Sequence, residues 1–319
     1  MCCLVAYSQT FPRPVQGIID RFNETDNTNY EAVYAPCHTE FITSDLAFQG
    51  YAENQPTQGL GEVTYYYRFP NNDPSQGCPS PSTSPKVSKP IIVLDGFDPQ
   101  DTRAGAEVYG KYLKYRVGVD DEFIGRIVRT QGQDVVILNF PRYETGLIIP
   151  FIYTPVPGQP PVTIPGFARI RDGGADYMER NAFVLIKLIQ QLNQELRSQN
   201  STEKITLIGP SMGGLISRYA LAYMEKKLAE NPTDVQWQQQ WDANVKLWIS
   251  FDAPHLGPTS PSATSGWSTT WRESVRMPNG HGTSGWLPQP PANCCSTTSP
   301  PIPTSLSAHP VSAMRSPAI

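Results

Sequence analysis

One stretch constrains the fold of this chain more than any other. Lys204-Ile205-Thr206-Leu207-Ile208 is a short apolar, β-branched run; it leads into Gly209-Pro210-Ser211-Met212-Gly213, and a helix-forming run from Leu215 to Met224 follows. The pattern predicts a strand, a sharp turn and a helix, with Ser211 at the turn. A serine hydroxyl is a poor nucleophile unless it is held exposed, with a base on one side and N–H donors on the other. A G-x-S-x-G elbow meets the geometric part of that demand. The small residues Gly209 and Gly213 let strand and helix approach, and the Met212 N–H lies where an oxyanion would form, at the positive end of the helix. The alternative is a glycine-rich turn whose serine caps the helix by accepting a backbone N–H.

Composition narrows the remaining classes. The chain has 319 residues, 39% of them hydrophobic, which is enough for a buried core, and a formal net charge of −4. That balance leaves no basic footprint for nucleic acid. No apolar run reaches bilayer length, so no integral membrane segment is expected. Met1 to Tyr7 lack the basic start and longer apolar stretch of a secretory signal, and the compartment stays open. Cys37 and Cys78 read equally as a bridge in a secreted protein or as two unrelated thiols. No Cys/His group has zinc spacing, and neither a metal nor a cofactor is expected.

In chain order, residues 1–60 are polar and irregular and read as an accessory segment. Gly61 to Phe69 reads as an aromatic-rich strand, the first antiparallel strand of a mixed sheet. Residues 70–88 are rich in Pro, Ser and Asn and read as a surface loop. Pro90 to Leu94 is a continuous apolar run, the mark of a strand buried on both faces. It ends in Asp95-Gly96-Phe97-Asp98-Pro99, common turn chemistry. Phe123, Ile124, Ile127 and Val128 fall at helical spacing, and Asp134 to Phe140 is a second buried run. Residues 147–171 hold several prolines and are too long and irregular for a connection, so they read as a lid or rim or as a solvated insertion. Asp176 opens a helix whose apolar face carries Phe183, Ile186, Ile189, Leu192 and Leu196, and Val245 to Phe251 closes the series as a strand. Strand followed by helix, repeated, predicts a doubly wound, mostly parallel α/β sheet built by right-handed crossovers.

Three motifs between Pro90 and Gly257 together resemble the lipase/esterase branch of the α/β-hydrolase superfamily, in its bacterial members. They are the Gly96-Phe97 loop, Gly-Pro-Ser-Met-Gly-Gly at the elbow, and Asp252-Ala253-Pro254-His255-Leu256-Gly257 with its Pro-His-x-Gly pattern. The resemblance covers about half of the chain. It implies an α/β-hydrolase core over residues 61–257, incomplete at its C-terminal end. It further implies cleavage of small-molecule or lipid carboxylic esters through a Ser211 acyl-enzyme, with the Met212 and Phe97 N–H groups as oxyanion donors and Gly96 permitting the close turn. Asp95 stands where many relatives carry His. Such families order the triad Ser, acid, His. Asp252, the last aspartate, is the candidate acid, and His255 belongs to a turn that is usually structural. Amidase or peptidase chemistry uses the same parts, and a non-catalytic binding protein of this fold or an inactive truncated product is the competing class.

Residues 258–319 depart from everything before them, with 11 prolines, 20 Ser/Thr and one acidic residue, Glu273. Such a stretch cannot complete a sheet. It reads either as a disordered tail or as out-of-frame sequence after Gly257. Codons can be chosen for residues 257–267 such that one restored base gives Gly-Ala-Asn-Ile-Pro-Ile-Gly-Asp-Gln-Trp-Leu, and the gene decides between the two.

Overall fold

The structure is a computed structural model that describes residues 12–15, 35–51, 53–79, 86–117, 120–146, 151–153, 162–164 and 169–255. All of these fall within a compact unit formed by residues 1–274. The stretch 258–319 lies outside the described residues, as does most of the span 147–171.

Six strands make the main sheet: β1 (His38–Phe48), β2 (Thr57–Tyr66), β3 (Pro90–Leu94), β4 (Asp134–Asn139), β5 (Ile205–Pro210) and β6 (Val245–Phe251). Their spatial order is β6-β5-β3-β4-β2-β1. β6, β5, β3 and β4 run parallel, and β2 and β1 are added antiparallel. The longer helices among the described residues are α1 (Ile124–Thr130), α2 (Met178–Ser198), α3 (Met212–Glu230) and α4 (Val235–Trp241).

Successive strand residues point to opposite faces, and each face has its own core. Ile92, Leu94, Val136 and Leu138 pack on one face with Leu185, Leu188 and Ile189 of α2 and with Ile216, Ala220 and Met224 of α3. Val93, Val135, Ile137 and Tyr66 pack on the other with Val108 and Tyr109. Each fully buried side chain of this size contributes about 1.5–3 kcal/mol. This two-sided burial is why β3 and β4 read as unbroken apolar runs.

One expectation needs correction. The segment 1–60 is not merely accessory, because β1 and the start of β2 belong to the sheet; the strand expected from Gly61 begins at Thr57 and is the second antiparallel strand. Within 147–171 the described pieces are strands: Phe151–Tyr153 pairs with Val162–Ile164, and Arg169–Asp172 pairs with Arg142–Thr145.

At the other edge of the described sheet, β6 carries Leu247, Ile249 and Phe251 at 50%, 37% and 54% exposure. On its opposite side the Trp248 indole N–H donates to Ser217 Oγ of α3 at 2.9 Å.

Cys37 and Cys78 are bridged, with Cα atoms 5.3 Å apart and a separation of 41 positions in sequence. The bridge ties the chain just before β1 to the loop after β2. Closing a loop of that length in the unfolded chain stabilises the fold by about 4 kcal/mol. Thermal melts with and without a dithiol reductant are expected to differ accordingly, and the Cys37→Ser/Cys78→Ser protein should melt with the reduced wild type. Identical melts for oxidised and reduced protein would show that the bridge adds no stability.

Candidate functional site at the strand-to-helix turn

The parallel strands β3 and β5 are neighbours, so the loops leaving their C-terminal ends meet above the sheet. One loop is Asp95–Asp98, and the other is the single residue Ser211 between β5 and α3. Ser211 has φ 50° and ψ −125°, a conformation that costs a non-glycine residue on the order of 1–3 kcal/mol and persists only where the surroundings impose it. They do so here. A Cβ on Gly209 would stand 2.5 Å from the Gly213 carbonyl oxygen, and one on Gly214 would stand 2.3 Å from Ser250 Oγ. A Cβ on Gly213 would lie 2.9 Å from the Asp95 carbonyl oxygen. The Ser211 N–H donates to the Phe251 carbonyl at 3.0 Å, and the Gly214 N–H donates to the Ser211 carbonyl at 3.0 Å. Strand pairing on one side and the first helical turn on the other therefore leave Ser211 no relaxed alternative.

The capping alternative fails, because the Ser211 side chain makes no capping hydrogen bond to the helix. Its hydroxyl is half-buried and faces the β3 loop, where a Cβ on Gly96 would be 3.5 Å from Ser211 Cβ and 3.9 Å from Ser211 Oγ. Met212 is the first residue of α3, and N–H groups of a first helical turn have no intrahelical acceptor. Phe97 follows Gly96 in the facing loop. The structure thus brings Gly96 beside Ser211, with Phe97 and Met212 as their respective chain neighbours.

That loop is held by charges, of which the sequence singled out Asp95 but not its partner Arg103. The Gly96 N–H donates to Asp95 Oδ1 at 2.7 Å. Arg103 Nε donates to Asp95 Oδ2 at 3.2 Å, and Arg103 Nη2 donates to the Phe97 carbonyl at 3.0 Å. Asp98 accepts from the Arg103 N–H at 2.8 Å and from Thr102 Oγ1 at 2.5 Å, while its own N–H donates to the Gly174 carbonyl at 3.2 Å. Burial pushes the Asp95 carboxyl above its ordinary value, and Arg103 and the Gly96 N–H offset only part of that rise. The Asp-Gly-Gly segment from Asp172 enters this assembly through Gly174, where a Cβ would sit 2.1 Å from the Asp98 carbonyl oxygen.

The remaining candidates are placed but not engaged with the hydroxyl. Asp252 follows β6 at φ 53°, one residue past the carbonyl that receives the Ser211 N–H, and it is exposed. His255 does not reach Ser211; its Nε2 shares a 2.8 Å hydrogen bond with Ser250 Oγ, and its ring meets Trp248 edge-on at 5.9 Å. The other described histidine, His38, is on β1 at the far edge of the sheet, stacked on Tyr65. Among the described residues, then, no imidazole bonds to the Ser211 hydroxyl. Also among them, no group of three or more His, Cys, Asp or Glu side chains is placed to hold a metal ion, and no helix is long and apolar enough to cross a membrane.

A doubly wound, mostly parallel sheet with the nucleophile-type turn at the end of an interior parallel strand is the α/β-hydrolase fold. No curated protein matches the sequence. Solved structures similar to this chain include a soluble variant of monoglyceride lipase from Saccharomyces cerevisiae, with 11% identity, coverage of 75% of this chain and 56% of that one, and a TM-score of 0.33. The peroxisomal alpha-beta-hydrolase Lpx1 of Saccharomyces cerevisiae matches with 11% identity, 72% and 50% coverage and a TM-score of 0.31. A thermostable carboxyl esterase from Bacillus coagulans matches with 10% identity, 63% and 55% coverage and a TM-score of 0.24. This chain spans about half the length of each of these three structures. The stretch that carries the turn, residues 182–286, matches the family model described as "Putative serine esterase (DUF676)", a match that supports a serine hydrolase.

Proposed function

We propose that this protein is a serine hydrolase of carboxylic esters, with Ser211 as nucleophile. The observation that carries the reading is the strained Ser211 turn, φ 50° and ψ −125°, which frees the hydroxyl from capping the helix and presents it to the Gly96–Phe97 loop. Ser211 Oγ attacks the ester carbonyl carbon and its proton leaves to a base. The carbonyl oxygen takes the negative charge, met by the N–H groups of Met212 and Phe97. Collapse expels the alcohol and leaves an acyl-serine, which water then hydrolyses. Asp252 is the proposed acid. The described residues bring no base to the hydroxyl, and the chain's remaining histidines are His281 and His309. The strands within 147–171 are proposed to rim the acyl site. The substrate is a small-molecule or lipid ester.

A p-nitrophenyl ester panel from acetate to palmitate, with a p-nitroanilide alongside, tests this reading. Turnover is expected on esters, with fluorophosphonate labelling located at Ser211. Silence on every chain length would favour the second reading, a non-catalytic binding protein of this fold, for which the engagement of His255 with Ser250 speaks.

A further inference from the structure

We infer that Arg103 is a positioning residue of the oxyanion site: it fixes the peptide that carries the Phe97 N–H by clamping the peptides on either side of it. This rests on the proposed hydrolase reading and adds to it a residue remote from the hydroxyl.

The argument is one of peptide planes. Phe97 N–H belongs to the peptide between Gly96 and Phe97, and a peptide plane is fixed when both of its neighbours are fixed. The preceding peptide donates its N–H, that of Gly96, to Asp95 Oδ1. The following peptide is held at both ends, its Phe97 carbonyl by Arg103 Nη2 and its Asp98 N–H by the Gly174 carbonyl. Arg103 also pairs with Asp95, Nη2 to Oδ1 at 3.2 Å, so one guanidinium governs both sides of the donor peptide. The planar fork of arginine can bond a carboxylate and a carbonyl at once; a lysine ammonium keeps the charge and loses that geometry. The clamp is sheltered, with the Asp95 and Asp98 side chains 5% and 4% exposed and that of Arg103 22%. In such surroundings a preorganised donor is worth far more than one that must be oriented during reaction.

Three variants of the full chain, compared with the wild type on the best p-nitrophenyl ester, test the inference. Arg103→Lys is expected to melt near the wild type yet lose kcat by about 10²-fold with KM within about twofold, the signature of an interaction made in the transition state. Arg103→Met also strands the buried Asp95 charge and is expected to melt lower. Adding Asp95→Asn to Arg103→Met removes that charge while keeping an acceptor for the Gly96 N–H. The double variant should regain the part of the stability lost through Asp95, while Asp98, 3.8 Å from Arg103 Nε in the wild type, stays without that partner; kcat should not return, because the Phe97 carbonyl still lacks its donor. If the double variant recovers both, Arg103 serves only to neutralise Asp95 and the inference is overturned. Wild-type kcat in Arg103→Lys overturns it as well, while leaving the hydrolase reading intact. A wild-type chain with no Ser211-dependent turnover overturns the hydrolase reading and this one with it.

Discussion

Ser211→Ala is expected to lower ester turnover by at least about 10³-fold, because removing a nucleophile leaves only what binding and the oxyanion donors achieve on attacking water. The same substitution should leave stability within about 0.5 kcal/mol of wild type, as is usual for changes that remove no partner. The two expectations together discriminate between roles. A serine that capped α3 would cost about 1 kcal/mol on truncation, whereas the Ser211 side chain makes no capping bond. Alanine keeps the backbone strain unchanged, since φ 50° is disfavoured for it as for serine. Turnover rates with melting curves on the same preparations check both. Undiminished turnover would remove Ser211 from the chemistry, and a stability loss near that of a cap would return it to a structural role.

How much of this was legible in the sequence depended on whether the signal was periodic. β3 and β4 showed themselves as apolar runs because both of their faces are covered. The buried stripe of α2 was read through Phe183, Ile186, Ile189, Leu192 and Leu196, all of them buried. The turn at Ser211 was legible because strand, glycine spacing and helix coincide within a few residues. β1 was missed for a physical reason: as an edge strand it buries only Ile42 and Ser44 among its eleven residues, so its composition is that of a loop. Asp95 was read as turn chemistry, yet its partner Arg103 was not, since an ion pair across an irregular loop has no period to betray it. The fate of His255 was half legible. Its Pro-His-x-Gly setting suggested a structural turn, but the partner Ser250 is known only once β6 lies beside β5. The bridge between Cys37 and Cys78 likewise needed β1 in place. Arg180 was hidden most completely, because it lies on the buried side of a helix whose apolar pattern gives no place for a cation.

Arg180→Met is the change expected to harm the fold most, by about 4 kcal/mol, the range for breaking a buried ion pair by removing one partner. Arg180 is fully buried and pairs with Asp176 and Glu53, each only 7% exposed at the side chain. It also donates to the carbonyls of Phe48 at 3.1 Å and Thr57 at 3.3 Å, so this one side chain joins the end of β1, the start of β2 and the first turn of α2. Methionine matches much of its volume and supplies none of these donors. Glu53 would keep Arg171, while Asp176 would keep the Tyr143 hydroxyl, which donates to it at 2.8 Å. The acid dependence gives the decisive sign. Desolvation pushes the Glu53 carboxyl up, but the Gly50 N–H, Arg171 and Arg180 outweigh it and hold the group below its ordinary value of 4.5. A depressed folded-state value gives stability that is present above the unfolded value and lost as pH falls through the folded one. The wild type should therefore lose this contribution below about pH 4.5, and Arg180→Met, with less of it to lose, should lose less. Urea unfolding at neutral and acid pH is expected to show the gap between the two proteins narrowing as the solution is acidified. A gap that stayed constant would mean that Arg180 stabilises by packing and by its carbonyl bonds alone, with no contribution from its charge.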